Sequence, residues 1–213
     1  MGRHDFSAAE DFIREQNADI VGISEITAIW WQYLKEHLPE YPYRLAEPTH
    51  GGVALLSKFR LNDAELRYYG EIRRPRIIAH MTVGKQPLTV LFAHPVVPIS
   101  KSRIRNGELE VLAQEMADAR RDGSTILFGD LNCTPWSPYF ERLLVDGKLR
   151  DTERGFGLQP SWCAFMPVQL LPIDHCLVSA DLRAVKRSLG RSIGSDHLPV
   201  FVELEFVAQP TVH

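Results

Sequence analysis

Two periods govern the apolar and polar positions of this chain, and the switches between them lay out its elements. In "SAAEDFI" the S-x-x-E spacing of Ser7 and Glu10 is that of a capping box, with Phe12 and Ile13 following on one stripe, so a helix is expected over about 8–17. "DIVGISEI" (19–26) then reads as a strand, and Trp30, Leu34 and Leu38 recur at helical spacing until Pro39 stops the helix. After "YPYR" and a turn at "THGG" come "VALLS" (53–57), "RIIAHMTV" (76–83) and "LTVLFAH" (88–94), the last two joined as a hairpin through Gly84-Lys85-Gln86-Pro87. A helix over about 102–120 is expected to bury Ile104, Leu109, Leu112 and Met116. "TILFG" (125–129), a short helix from near Ser137, and the strands "IDHCLVS" (173–179), "AVKRSL" (184–189) and "PVFVELEF" (199–206) complete the series. Hairpins mixed with helical crossovers predict an α/β layered fold with mixed sheets.

The pattern breaks in the same way at several strand ends. "ILFGDLN" ends an apolar run at Gly129 and leaves Asp130 and Asn132 at i, i+2, a spacing that points both side chains to one face. Glu25 follows "DIVGIS", Asp174 and His175 open "DHCLVS", Asp196 and His197 sit in "GSDHLPV", and His94 ends "FAH". Charged groups beside a core are costly unless paired or bound to metal, so their recurrence suggests a common destination. Carboxylate and carboxamide oxygens suit Mg²⁺ or Mn²⁺, and a hard cation beside histidine points to phosphoryl chemistry. Taken singly, each has a bland reading: a turn for Asp130 and Asn132, a surface position for Glu25, a cap for Asp196, a structural imidazole for His197 or His94. Lys101, Arg103 and Arg105 either draw an anionic substrate toward the metal or form a solvated helix entry. Trp30, Trp31 and Trp136 either face a base or lipid or pack in the core.

Composition narrows the field. With 213 residues, 45% hydrophobic and 24% charged, the chain is expected to form one domain over 1–213. A net charge of −3 gives no global basic field for a polyanion. Cys133, Cys163 and Cys176 lack any C-x-x-C pairing and read as small apolar residues rather than a disulfide or zinc framework. "MGRHDF" has no apolar centre, so the chain as given is read as soluble, its compartment left open. No Gly-rich dinucleotide loop is present.

In order, "DIVGISEI", "GGVALLSKF", "FAHPVVP", "ILFGDLN", "PIDHCLVS" and "GSDHLPVFVEL" resemble the endonuclease/exonuclease/phosphatase superfamily, the DNase I-like fold, across about residues 7–206. "YPYR", "RNGEL", "TPWSP" and "LPIDHCLVS" are similar to an uncharacterised bacterial branch in which this domain follows hydrophobic N-terminal helices and so is membrane-anchored. The resemblance implies a four-layered sandwich of two mixed β-sheets flanked by helices, and a divalent-metal-dependent phosphoesterase. In that reading Glu25 is the principal metal ligand and Asp196 serves at or near the metal. Asp130 orients or deprotonates the attacking water, Asn132 holds a phosphate oxygen, and His197, oriented by Asp174, contacts the scissile phosphate. His94 falls where the family places a phosphate-contacting residue, and Asn106 is a further family-typical position without an assigned role. Nucleic acid is one candidate substrate and a phosphoinositide or other lipid headgroup another; no stable protein partner is implied.

The family's first strand, with its Asn, should precede the helix at 8–17 and is missing, so the chain is expected to be a fragment of a longer protein. An apolar sheet edge would then be exposed, open to another copy of the chain. A non-catalytic binding or scaffold domain is the alternative.

Overall fold

Along the strand Arg74–Val83 every second side chain faces a different core. Ile77, Ala79 and Met81 enter one apolar cluster and Ile78 another. The neighbouring strand Gln86–Ala93 does the same, with Leu88, Val90 and Phe92 on one side and Leu91 and Ala93 on the other. A sheet buried on both faces needs a layer against each, and that requirement sets the architecture.

The computed structural model describes residues 6–49, 51–70, 72–165 and 171–207. His50 of the expected "THGG" turn and all but Phe6 of "MGRHDF" lie outside them. In chain order the elements are α1 (Ser7–Gln16), β1 (Ile20–Ser24), α2 (Ala28–His37), β2 (Tyr43–Glu47), β3 (Val53–Ser57), β4 (Asn62–Tyr69), β5 (Arg74–Val83), β6 (Gln86–Ala93), α3 (Ser102–Ala119), β7 (Ser124–Asp130), α4 (Pro138–Asp146), β8 (Leu149–Asp151), β9 (Asp174–Ser179), β10 (Leu182–Leu189) and β11 (Val200–Phe206).

The central sheet is six-stranded, in the order β4-β5-β6-β7-β9-β8. It is mixed, because β6 and β7 run parallel across the α3 crossover while the other pairs are antiparallel. One face packs on α3 and α4 through Leu109, Leu112, Met116, Phe140 and Leu143. The other meets a second layer made of the three-stranded sheet β1-β3-β2 and the hairpin β10-β11. Outside β1-β3-β2, α1 and α2 close the body over Ile13, Ile26, Leu34 and Leu38. The four layers are those the family resemblance implies, with one difference in the second. It is antiparallel throughout and divided in two: among the described residues β1 bonds only β3, and β11 only β10. The two layers approach closely at Gly22, where a Cβ would come within 2.4 Å of the Phe92 ring.

Several local expectations are corrected. The α1 N-cap is Phe6, with no side-chain cap bond, and Glu10 pairs instead with Arg14 and accepts Tyr33 Oη at 2.6 Å. On α3 the buried stripe takes in Arg105 and Glu108 while Ile104 is only half-buried. The β5-β6 turn is tighter than expected: Val83 pairs with Gln86, leaving Gly84 and Lys85, and Gly84 adopts φ 63°. No helix among the described residues is long and apolar enough to cross a membrane.

Candidate active site

Strand register assembles the rim. Phe92 of β6 lies beside Phe128 of β7 in the parallel pair, so both strands deliver their next residues in one direction: His94 just past β6, Asp130 at the end of β7. β9 runs antiparallel to β7 and sets Asp174 directly across from Asp130. Gly129 allows the strands to close there. It adopts φ 135°, and a Cβ would stand 2.1 Å from the Ala93 carbonyl oxygen.

Asp130 is the hub. Its Oδ2 lies 3.5 Å from His94 Nε2 and 3.8 Å from His197 Nε2. Its Oδ1 accepts the Asn132 backbone N–H at 2.8 Å, closing an Asx turn over Leu131. The turn and the site are therefore the same structure. Asn132 adopts φ 48° and donates from Nδ2 to the Pro95 carbonyl at 3.0 Å, which ties the turn to the segment after His94. His197 Nδ1 donates to Asp174 Oδ2 at 2.7 Å, and the same oxygen accepts Ser161 Oγ–H at 2.5 Å.

Environment drives the two imidazoles in opposite directions. Burial, helped by the charges of Arg74 and His197, pushes His94 down to about 4, so it is neutral at physiological pH. Burial also disfavours a charged His197, but the Asp174 hydrogen bond and the charges of Asp174, Asp130 and Asp196 outweigh it and raise the group to about 9. Asp130 itself is held well above the usual carboxylate range, first by burial and then by the charges of Asp174 and, more weakly, Glu25. Groups of like chemistry with protonation pushed apart are the arrangement acid–base catalysis needs.

The remaining expected residues divide. Glu25 is exposed at φ 57°, with its charge felt at Asp130. Asp196 is exposed and its Oδ2 accepts Trp162 Nε1–H at 3.1 Å, while its charge acts on His197. Arg103 is exposed on the first turn of α3. Arg105 departs from the expected solvated or substrate-facing position: it is buried, donating to the Asn132 carbonyl at 2.5 Å and to Asn106 Oδ1 at 2.9 Å, so its guanidinium braces the Asp130–Asn132 turn. Asn106 thus serves Arg105.

Sequence reading missed Ser161, Trp162, Glu108 and Arg74. Ser161 and Trp162 come from a loop with little periodicity, stitched to the His197 segment by Leu198 N–H donating to the Ser161 carbonyl at 2.8 Å. Glu108 accepts Val96 N–H at 2.8 Å and fixes the backbone after His94. Its helical offset from Arg105 was the available signal, since both fall on the buried side of α3.

The body is four-layered α/β, with imidazoles and carboxylates gathered at its strand ends. The profile of the Endonuclease/Exonuclease/phosphatase family matches residues 1–197, and the chain belongs to that family. Among solved structures, D. rerio TDP2 humanized by 14 mutations is 18% identical, with TM-score 0.79 over 96% of this chain and 94% of that one. An endonuclease/exonuclease/phosphatase from Beutenbergia cavernae is 20% identical, with TM-score 0.79 over 99% of this chain and 68% of that one. A mannosyl-6-phosphatase from Bacteroides thetaiotaomicron is 19% identical, with TM-score 0.76 over 94% of this chain and 90% of that one. These likenesses concern the fold. A search of curated proteins finds no match.

Proposed function

We propose that the chain is a divalent-metal-dependent phosphodiesterase that hydrolyses its substrate by attack of an activated water. The observation that carries this reading is the pair of imidazoles, one neutral and one protonated, flanking a single Asp130 oxygen. Protonated His197 donates to a phosphate oxygen or to the departing alkoxide, with Asp174 and Ser161 fixing its ring. Asp130 receives the proton of the attacking water, its raised affinity for protons making it a better base than an exposed carboxylate. Neutral His94, against the same carboxylate, orients the water or a phosphate oxygen without adding charge. Arg74, whose charge reaches His94, and exposed Arg103 supply cations for the substrate.

The donor set fits Mg²⁺ or Mn²⁺. Burial first, and then the charges of Asp174 and Glu25, disfavour the ionised form of Asp130, and a hard cation would offset that negative charge at the rim. Glu25 would be its principal ligand, with Asp196 beside it. When bound, the ion supplies charge neutralisation on the non-bridging oxygens. D. rerio TDP2 of this fold is complexed with a single strand DNA product and another solved structure is a mannosyl-6-phosphatase, which supports a phosphate ester in general over one particular polymer.

The test is hydrolysis of bis(p-nitrophenyl) phosphate with Mg²⁺, Mn²⁺ or EDTA. Metal-dependent turnover lost in Glu25→Gln supports the reading; a folded, metal-supplied protein without turnover on diester or monoester probes favours a scaffold.

A further inference from the structure

Asp174 and His175 are consecutive on β9 and so point to opposite faces of the central sheet. Asp174 faces the rim. His175 faces the helix layer with Leu177, packs on the Phe140 ring at 4.5 Å between centroids, and is only 2% exposed. Its Nε2 lies 2.7 Å from the Cys133 carbonyl, which can only accept, so Nε2 carries the proton and Nδ1 presents a lone pair. That Nδ1 is buried without a partner.

Two carboxylates stand near this imidazole, from the end of β8 and the turn after it. A ligand atom each from Asp151, Glu153 and His175 lie within 4.8 Å of one another, and all three residues are buried. Each carboxylate is oriented by its backbone surroundings. Asp151 accepts the Glu153 N–H at 2.9 Å, and Glu153 Oε1 accepts the Gln159 N–H at 2.6 Å. Glu153 Oε2 is a second buried atom left without a partner. One cation is near: Arg187, 4% exposed, whose charge is felt at Glu153 and His175. Its donors go elsewhere, to Gln159 Oε1 and the Asp174 carbonyl, and its Nε is unpartnered. A single guanidinium set against two buried carboxylates leaves negative charge uncompensated, which an interior tolerates poorly.

The geometry points to a second metal site, at Asp151, Glu153 and His175, that takes a Zn²⁺-class transition cation and is separate from the catalytic rim. One imidazole nitrogen with two carboxylate oxygens suits Zn²⁺ better than Mg²⁺, which prefers an all-oxygen shell. A histidine whose other nitrogen is held by a backbone carbonyl is the usual arrangement behind a metal ligand. Access exists as well: Asp151 and Glu153 border a cavity of ≈550 Å³ lined also by Trp136, Phe140, Arg154 and Leu158, a route for the ion and for water at a fourth position. The site has a role in keeping with its place. His175 holds the Cys133 carbonyl beside the Asp130–Asn132 turn and adjoins Asp174, so a bound ion would stiffen the rim from behind without touching substrate.

The test is titration of the full chain, freed of metal by EDTA and dialysis, with ZnCl₂ against a chromophoric chelator, alongside thermal melts and the absorption spectrum with CoCl₂. The expected result is one tight equivalent of Zn²⁺, a raised Tm, and visible Co²⁺ bands typical of a low-coordinate site. Glu153→Gln keeps the bond to Gln159 and should weaken Zn²⁺ by at least ~10-fold, abolish the Tm gain and bleach the bands. His175→Asn should do the same, and His197→Ala should keep all three signals. Zn²⁺ binding unchanged in Glu153→Gln, or lost in His197→Ala, would overturn the proposal, as would a wild-type chain that binds none.

Discussion

The two faces of β9 use the same residue types to different ends. On the rim face, His197 bonds Asp174 and stands 3.8 Å from the buried Asp130, and both His197 and Asp174 are part-exposed. On the helix face, His175 packs on Phe140, and its Nδ1 and Glu153 Oε2 are left without partners. Part-exposed groups at an opening can exchange protons with a ligand, whereas orphaned ones packed in a core ask for something permanent. One strand thus separates the proposed place for chemistry from the proposed place for anchorage.

Phe140→Ala strikes the anchoring face and should cost about 3–5 kcal/mol of stability, because it empties the space against His175 and Leu143. Chemical denaturation measures the loss, and the pH dependence of any remaining turnover should keep its shape. Asp130→Asn and His197→Ala strike the other face and should each lower kcat by about 10²–10³-fold with an unchanged far-UV spectrum. Near wild-type turnover in purified, metal-loaded His197→Ala would remove the basis for the two-imidazole assignment.

A pH profile probes the link between the faces. His197 is raised to about 9 by Asp174, so activity that needs its protonated form should persist to that pH and fall above it. Asp174→Asn should pull this alkaline limb down toward the ordinary histidine value, while Glu153→Gln should leave it in place. The sign carries into stability: with the folded value raised, the His197 contribution is complete below pH 6.5 and disappears as pH climbs through about 9. The smallest effect is expected at Trp136, 66% exposed at the cavity mouth, where Trp136→Ala should change stability by no more than about 0.5 kcal/mol.

Strands buried on both faces were legible because their apolar runs are unbroken, as in "VALLS" and "TILFG". β2, β4 and β8 were not. β4 is a sheet edge whose "NDAELRYY" carries charges suited to solvent, and β8 has only three residues. In the site, Asp130, His94, Asp174 and His197 could be read because polar residues at strand ends break an apolar pattern. Arg105 misled for the opposite reason: a cation near a helix start looks solvated until its long side chain is seen reaching Asn132. Ser161 had no such signature, since its place beside Asp174 depends on how a nonrepetitive loop crosses the His197 segment.

The division of the second layer bears on how this enzyme would fail. His197 is carried just ahead of β11, in a hairpin whose strands pair only with each other among the described residues and which is fastened to its surroundings by apolar packing and a few polar ties. Gentle heating should therefore dislodge His197 while the six-stranded body keeps its ellipticity. Catalytic competence would fade several degrees before the shape does, and amide exchange in 182–206 would report the early step.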